Sequence, residues 1–315
     1  MSALVAVDIG GTKVRISSFP VGADWSAAPT AERVFETPRS GDVVAALAER
    51  VREVVYEGDK DACPIAVGVG CPGPLDPLRG IVLNPPNLSR EWWGLGLTGA
   101  LAGELGISPD RVALENDCNL AALGEATFGA GRPYGSTLYI TVSTGVGGGL
   151  VLDGEIFGGE RGYAVEIGHT KLTDRPYPCG CGRTGCVESA VSGTAIARRA
   201  REAGWTPPSG GEPTAKAVLE AATSGDAVAR DIVETAAAFF AETLVNAVYL
   251  YDPAVIVVGG GVSESDLFMD LSLAAFERVP TMPAFRGVPV LRAALEPRSV
   301  VTGAFVLARR LIGEE

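Results

Sequence analysis

Short apolar runs alternate with longer stretches of helical spacing along this chain. Residues 4–7 form an apolar run too short for a helix and read as a buried strand, with 14–18 as its hairpin partner across Gly10-Gly11-Thr12. A third strand is expected over 33–37, and a helix over 43–56 with Ser40 or Asp42 as its cap. The run 65–69 stops at Cys71-Pro72-Gly73-Pro74, the mark of a central strand entering a loop. A helix over 97–105 and a short strand over 112–114 follow. The second half repeats this order: a strand at 137–142, a glycine turn at 145–149, a strand at 150–152, then a loop-rich stretch over 157–188. Helices are expected over 192–203, 214–222 and 226–250, the last apolar on most faces and so buried, with a surface loop at 207–213. A strand over 255–258 runs into Gly259-Gly260-Gly261, and a closing helix covers 297–311, with Pro297 suited to its first turn. Strands alternating with helices define an α/β protein with helix-covered sheets. The echo between halves suggests two similar lobes, each offering a glycine turn.

Composition narrows the function. A chain of 315 residues has room for two domains or one large one. A net charge of −12 argues against a nucleic-acid surface and leaves phosphate ligands open, because backbone N–H groups, one lysine and magnesium can hold them. Asp8 interrupts the first apolar run too early for a secretory leader. The longest apolar runs are broken by glycine or proline, so no membrane span is expected. Three of the six cysteines are scattered and three are clustered, which favours one metal site in a reducing, cytoplasmic setting over a disulfide scaffold.

Three groups of residues carry candidate chemistry. Asp8-Ile9-Gly10-Gly11-Thr12-Lys13 joins two expected strands. Its glycines can turn N–H groups toward a phosphate, Thr12 adds a hydroxyl, Lys13 a positive charge, and Asp8 a ligand for magnesium. The spacing matches neither the dinucleotide nor the P-loop pattern, and one such turn is as readily structural as functional. A second turn at 144–149 and a third at 259–261 shift that balance toward phosphate binding. The only histidine, His169, lies near Cys179, Cys181 and Cys186. Three cysteines and one histidine suit tetrahedral zinc with no open position, hence a structural ion that fixes Glu166 and Glu188; free thiols or a Cys181–Cys186 disulfide are the alternatives. Asp117, in Glu115-Asn116-Asp117, stands where a strand meets a helix. It fits either a base accepting a hydroxyl proton, with Asn116 as a hydrogen-bonding neighbour, or a helix N-cap. Glu125, two turns on, fits a supporting role.

Taken together, the segments D-I-G-G-T-K at 8–13, E-N-D-C-N-L-A-A-L-G-E at 115–125, S-T-G-V-G-G-G at 143–149, E-I-G-H at 166–169, C-G-C-G-R-T-G-C-V-E at 179–188 and V-V-G-G-G-V at 257–262 resemble the ROK family of bacterial sugar kinases and repressors. The resemblance implies an actin/hexokinase-like (ribonuclease H-like) fold, two α/β lobes with a central cleft. The smaller lobe would comprise 1–115 plus 298–315, the larger 116–297 with the zinc-binding loop. It implies Asp117 as the catalytic base, and Gly73, Asn87, Asn116, Glu166, His169 and Glu188 as sugar contacts. Asp8, Gly10, Gly11, Thr12, Lys13, Thr144 and Gly145 would line the phosphate path, with Gly260 and Gly261 near the nucleoside and zinc on His169, Cys179, Cys181 and Cys186. ATP, Mg2+ and structural Zn2+ are the implied cofactors, and a homodimer or tetramer the implied assembly. Glucose is the leading substrate, as glucokinase is the family's common role. Val187-Glu188-Ser189-Ala190 departs from the W-E-Q-Y of many such glucokinases. I-T-V-S-T-G-V-G-G-G at 140–149 with C-G-C-G-R-T-G-C-V-E at 179–188, and 80–83 followed by Glu91-Trp92, resemble N-acetylmannosamine kinases; fructose and allose are further options. Family repressors add an N-terminal helix-turn-helix, for which a first strand at Leu4 leaves no room, so a sugar-responsive regulator is the lesser reading.

Overall fold

The structure is a computed structural model that describes residues 2–23, 28–208 and 210–314. The chain forms two compact units: Met1–Arg132 with Gly154–Ala164 and Pro297–Glu315, and Pro133–Asp153 with Val165–Glu296.

The first unit is built on a five-stranded sheet. Strands β1 (Ser2–Ile9) and β2 (Lys13–Pro20) make the expected hairpin, and β3 (Ala31–Glu36) continues it antiparallel. Strands β4 (Cys63–Cys71) and β5 (Val112–Asn116) lie parallel to β1, giving the order β3-β2-β1-β4-β5. Helix α1 (Val43–Gly58) buries Val44, Leu47, Ala48, Val51 and Val55, a stripe with the three-and-four spacing that marked it in the sequence. Of its two candidate caps Asp42 is the one used, accepting from the N–H groups of Val44 and Ala45. Helix α2 (Leu97–Leu105) ends at Gly106 in the left-handed conformation, and α3 (Asp117–Phe128) follows β5 directly.

The C-terminal helix (Ser299–Arg310) also belongs to this unit. It approaches α3 so closely that a Cβ on Gly303 would collide with the Leu120 carbonyl, and one on Gly124 with the Ser299 carbonyl. This packing draws α3 into the first unit. The change of unit therefore falls after Arg132, where the sequence reading had placed it at 115/116. Arg298 is the N-cap of the C-terminal helix, so Pro297 stands before the helix instead of inside its first turn.

The second unit repeats the plan. Strands β6 (Ser136–Val142) and β7 (Val146–Leu152) form a hairpin, and β8 (Val255–Gly259) and β9 (Val290–Arg292) lie parallel to β6. Helices α4 (Val187–Val191), α5 (Gly193–Glu202), α6 (Ala215–Thr223), α7 (Ala227–Tyr251) and α8 (Asp266–Phe276) belong to this unit. Helix α7 is, against the sequence expectation, long and apolar enough to cross a membrane. However, 61% of its apolar window is buried within the fold, and Phe240 stacks on Phe268 of α8 with ring centroids 5.5 Å apart, which makes it a core helix.

Candidate functional site

In the first unit the register brings the candidate residues of three strands to one edge. Asp8 of β1 pairs with Gly70 of β4, which pairs with Glu115 of β5; one step further Cys71 pairs with Asn116. These are the carboxyl ends of parallel strands, where α/β sheets bind ligands. The Cys71 thiol is fully buried, and its pKa is driven far above the ordinary thiol range, by burial first and then by the carboxylates of Asp117 and Asp8.

Asn116, not Asp117, caps α3: its Oδ1 accepts from the N–H groups of Cys118 (2.9 Å) and Asn119 (3.4 Å). Asp117 occupies the first helical position, half-buried, with its Oδ1 accepting from Cys118 N–H at 2.8 Å. The Asn116 amide nitrogen faces Gly73, 3.5 Å from where a Cβ there would lie. Glu115 accepts from Asn116 N–H and from the Asn119 side chain. Burial raises its carboxyl pKa, and those two hydrogen bonds oppose the rise.

The first glycine turn is held by one main-chain bond and by two side-chain donors, a threonine hydroxyl and an arginine. Gly10 N–H donates to Lys13 C=O at 2.8 Å, so that donor is spent within the hairpin; Gly11 and Thr12 remain the candidates to face a phosphate. Thr37 Oγ1 and Arg39 Nη2 donate to the carbonyls of Gly10 and Gly11. Gly11 lies against Asn87, whose carbonyl would stand 2.9 Å from an added Cβ. Lys13 and Thr12 are exposed.

In the second unit, His169 closes a single 3-10 turn (Ile167–His169), and the three cysteines sit on a tight knuckle. There Cys179 N–H donates to Arg183 C=O, Gly182 N–H donates to Cys179 C=O, and Gly182 takes φ 87°. The ligand atoms of His169, Cys179, Cys181 and Cys186 all lie within 4.8 Å of one another. Cys181 Sγ is 3.7 Å from Cys186 Sγ, and Cys179 Sγ is 3.5 Å from His169 Nδ1. Zinc bonds of about 2.3 Å to sulfur and about 2.0 Å to nitrogen in a tetrahedron require edges of roughly 3.8 and 3.5 Å. The donor set thus fits zinc, with Nδ1 as the histidine ligand. All of these cysteines are free thiols. Burial, foremost, pushes Cys179 up to about 12, a protonation that a bound dication would reverse.

Glu166 follows Val165, whose φ of 64° is a true outlier for a β-branched residue. The Glu166 side chain keeps an accessible edge. Partial burial, foremost, pushes its carboxyl pKa up, His169 draws it down, and Glu188 pushes it up again. Glu188, on the first turn of α4, accepts from Val146 N–H at 3.2 Å through Oε2. Its Oε1 lies 3.7 Å from Cys179 Sγ.

A cavity of about 800 Å³ opens beside the second glycine turn. Thr144 and Gly261 line it, as do Thr194 of α5, Lys216 of α6 and Leu267 of α8. Gly260, with φ 89°, supports this wall: a Cβ there would stand 2.6 Å from the Val142 carbonyl. The helix residues were missed by sequence reasoning. Their only signal was amphipathic spacing, and α8 was not anticipated.

Two α/β units, each a hairpin extended by parallel strands, define an actin/hexokinase-like fold. The description "ROK family" matches residues 4–311, and the chain belongs to that family. It is 32% identical to glucokinase of Thermotoga maritima over 98% of both chains, and 33% identical to N-acetylmannosamine kinase of Yersinia pestis over 97% of this chain and 98% of that one. The crystal structure of a ROK family glucokinase from Streptomyces griseus, in complex with glucose and AMPPNP, superposes with a TM-score of 0.80. It is 31% identical and is covered to 99%, with 98% of this chain.

Proposed function

We propose that this chain, an ATP-dependent sugar kinase, transfers the γ-phosphoryl group of ATP to the 6-hydroxyl of glucose. The observation that carries the chemistry is the strand register that brings Asp8 of β1 and Asn116-Asp117 at the end of β5 to one sheet edge, on either side of β4. Asp117 accepts the hydroxyl proton as the sugar oxygen bonds to the γ-phosphorus and the bond to the departing ADP oxygen breaks. Asp8 fits a magnesium ligand, direct or through water, and magnesium supplies charge neutralisation on the phosphates. Asn87, Asn116, Glu166, His169 and Glu188 serve as hydrogen-bonding partners of the sugar hydroxyls, with His169 using Nε2 while Nδ1 faces the cysteines. The 800 Å³ cavity suits a nucleoside, and the N–H groups of Thr144 and Gly145 a phosphate. His169, Cys179, Cys181 and Cys186 hold a zinc ion that fixes the loop. Such a kinase works in the cytoplasm, where its ATP is.

Glucose rests on the glucokinase relative in Thermotoga maritima and on the glucose-bound Streptomyces griseus enzyme. N-acetylmannosamine is the second reading, on the equally similar kinase of Yersinia pestis. ADP release with ATP and magnesium, measured separately on glucose, N-acetylmannosamine, mannose, fructose and allose, tests the proposal. Highest kcat/KM on glucose is expected. A preference for N-acetylmannosamine would move the substrate, and silence on every sugar would overturn the kinase reading.

A further inference from the structure

Glu188 stands between two pieces of the second unit that the kinase reading treats separately: the metal-ligand loop and the glycine turn at 143–145. One carboxylate oxygen lies 3.7 Å from Cys179 Sγ, and the other accepts from Val146 N–H at 3.2 Å, the first residue of β7. The fit at the turn is tight, because a Cβ on Gly145 would stand 2.5 Å from Glu188 Oε2. Cys186, a candidate metal ligand, is the N-cap of α4 and lies two residues before Glu188, so the loop also anchors the carboxylate through the chain. Beyond α4, Gly193 N–H donates to Ser143 C=O at 2.7 Å and Thr194 Oγ1 to Thr144 C=O at 2.8 Å. Thr144 and Thr194 both line the cavity. A carboxylate has about four acceptor positions, so these contacts leave room for a sugar hydroxyl.

We propose that Glu188 is a positioning residue that ties the metal-ligand loop to the glycine turn, so that the loop sets affinity for a nucleoside triphosphate in the absence of sugar. The inference rests on the cavity being the nucleotide site. Removing the carboxylate leaves the buried Val146 N–H without its charged partner and lets the turn relax. Since coupling between two ligands is reciprocal, nucleotide must also tighten the hold on zinc.

The test is calorimetric titration of the zinc-loaded protein with AMPPNP and magnesium, without sugar. Glu188→Ala is expected to weaken AMPPNP by roughly ten-fold. Glu188→Gln, which keeps an acceptor for Val146 N–H, is expected to lose only a few-fold. Gly145→Ala is expected to weaken AMPPNP in the parent, and to cost much less when combined with Glu188→Ala, because the colliding oxygen is gone. A readout free of any folding defect is the zinc affinity of the unaltered protein against a competing chelator, which should rise when AMPPNP is bound. Unchanged AMPPNP affinity in Glu188→Ala, a Gly145→Ala cost independent of residue 188, or a zinc affinity indifferent to AMPPNP would each overturn the inference while leaving the kinase reading intact. A parent protein that binds no AMPPNP would overturn both.

Discussion

The two units share a hairpin extended by parallel strands, yet they load its edge differently. In the first, Asp8 on β1 and Asp117 just beyond β5 lie by the buried Cys71, and the glycine turn is held by the side chains of Thr37 and Arg39. In the second, the turn carries no acidic residue of its own. It is held by a carboxylate from elsewhere, Glu188, and by the start of α5. One plan thus carries two different loads: carboxylates beside the parallel strand ends in one unit, a carboxylate-braced turn in the other. The difference follows from the neighbours. β5 delivers Asn116 and Asp117 directly into a helix, whereas β7 receives its carboxylate from the first turn of α4, two residues after Cys186.

The comparison breaks most sharply at Asp117. Asp117→Ala is expected to lower kcat by about 10²- to 10⁴-fold, the usual scale for a general base, with zinc content and thermal unfolding close to the parent. Near-normal turnover in a steady-state assay would remove reactive charge from the first unit's role. Next in size is Cys181→Ala. Metal analysis should find zinc lost, and the KM for sugar should rise, because Glu166, His169 and Glu188 lose their frame. Zinc-free protein with unchanged KM would detach the loop from the sugar. The smallest effect is expected at Thr194→Val, which deletes one hydrogen bond to the Thr144 carbonyl. A cost of about 0.5–1.5 kcal/mol in nucleotide affinity, up to about ten-fold, should appear by titration without change in sugar KM.

Much of this was legible in the sequence, because the informative segments are short and local. Short apolar runs gave β1 and β4, the glycine turn gave β2 as a hairpin partner, helical spacing gave α1 and α2, and the Cys₃His set lies within eighteen residues of sequence. What was missed depends on distant partners. Helix α8 follows a strand-end glycine loop, and its burial is set by α7, so nothing within 266–276 announces it. Strand β9 is three residues long and is defined by its pairing with β8. The assignment of α3 to the first unit rests on Gly124 and Gly303, residues whose closeness no local pattern reveals. The cap at Asn116 was one residue off because both Asn and Asp suit that position.

The closure of α3 against the C-terminal helix has a consequence for biosynthesis. A ribosome releases residues 1–132 long before it reaches 299, so the first unit's sheet emerges with one face waiting for its final cover. The second unit, complete at Glu296, has all of its own segments in hand earlier. The first unit therefore leaves the apolar surface of β1 and β4 open until the C-terminal helix is made, after the second unit's own segments are complete.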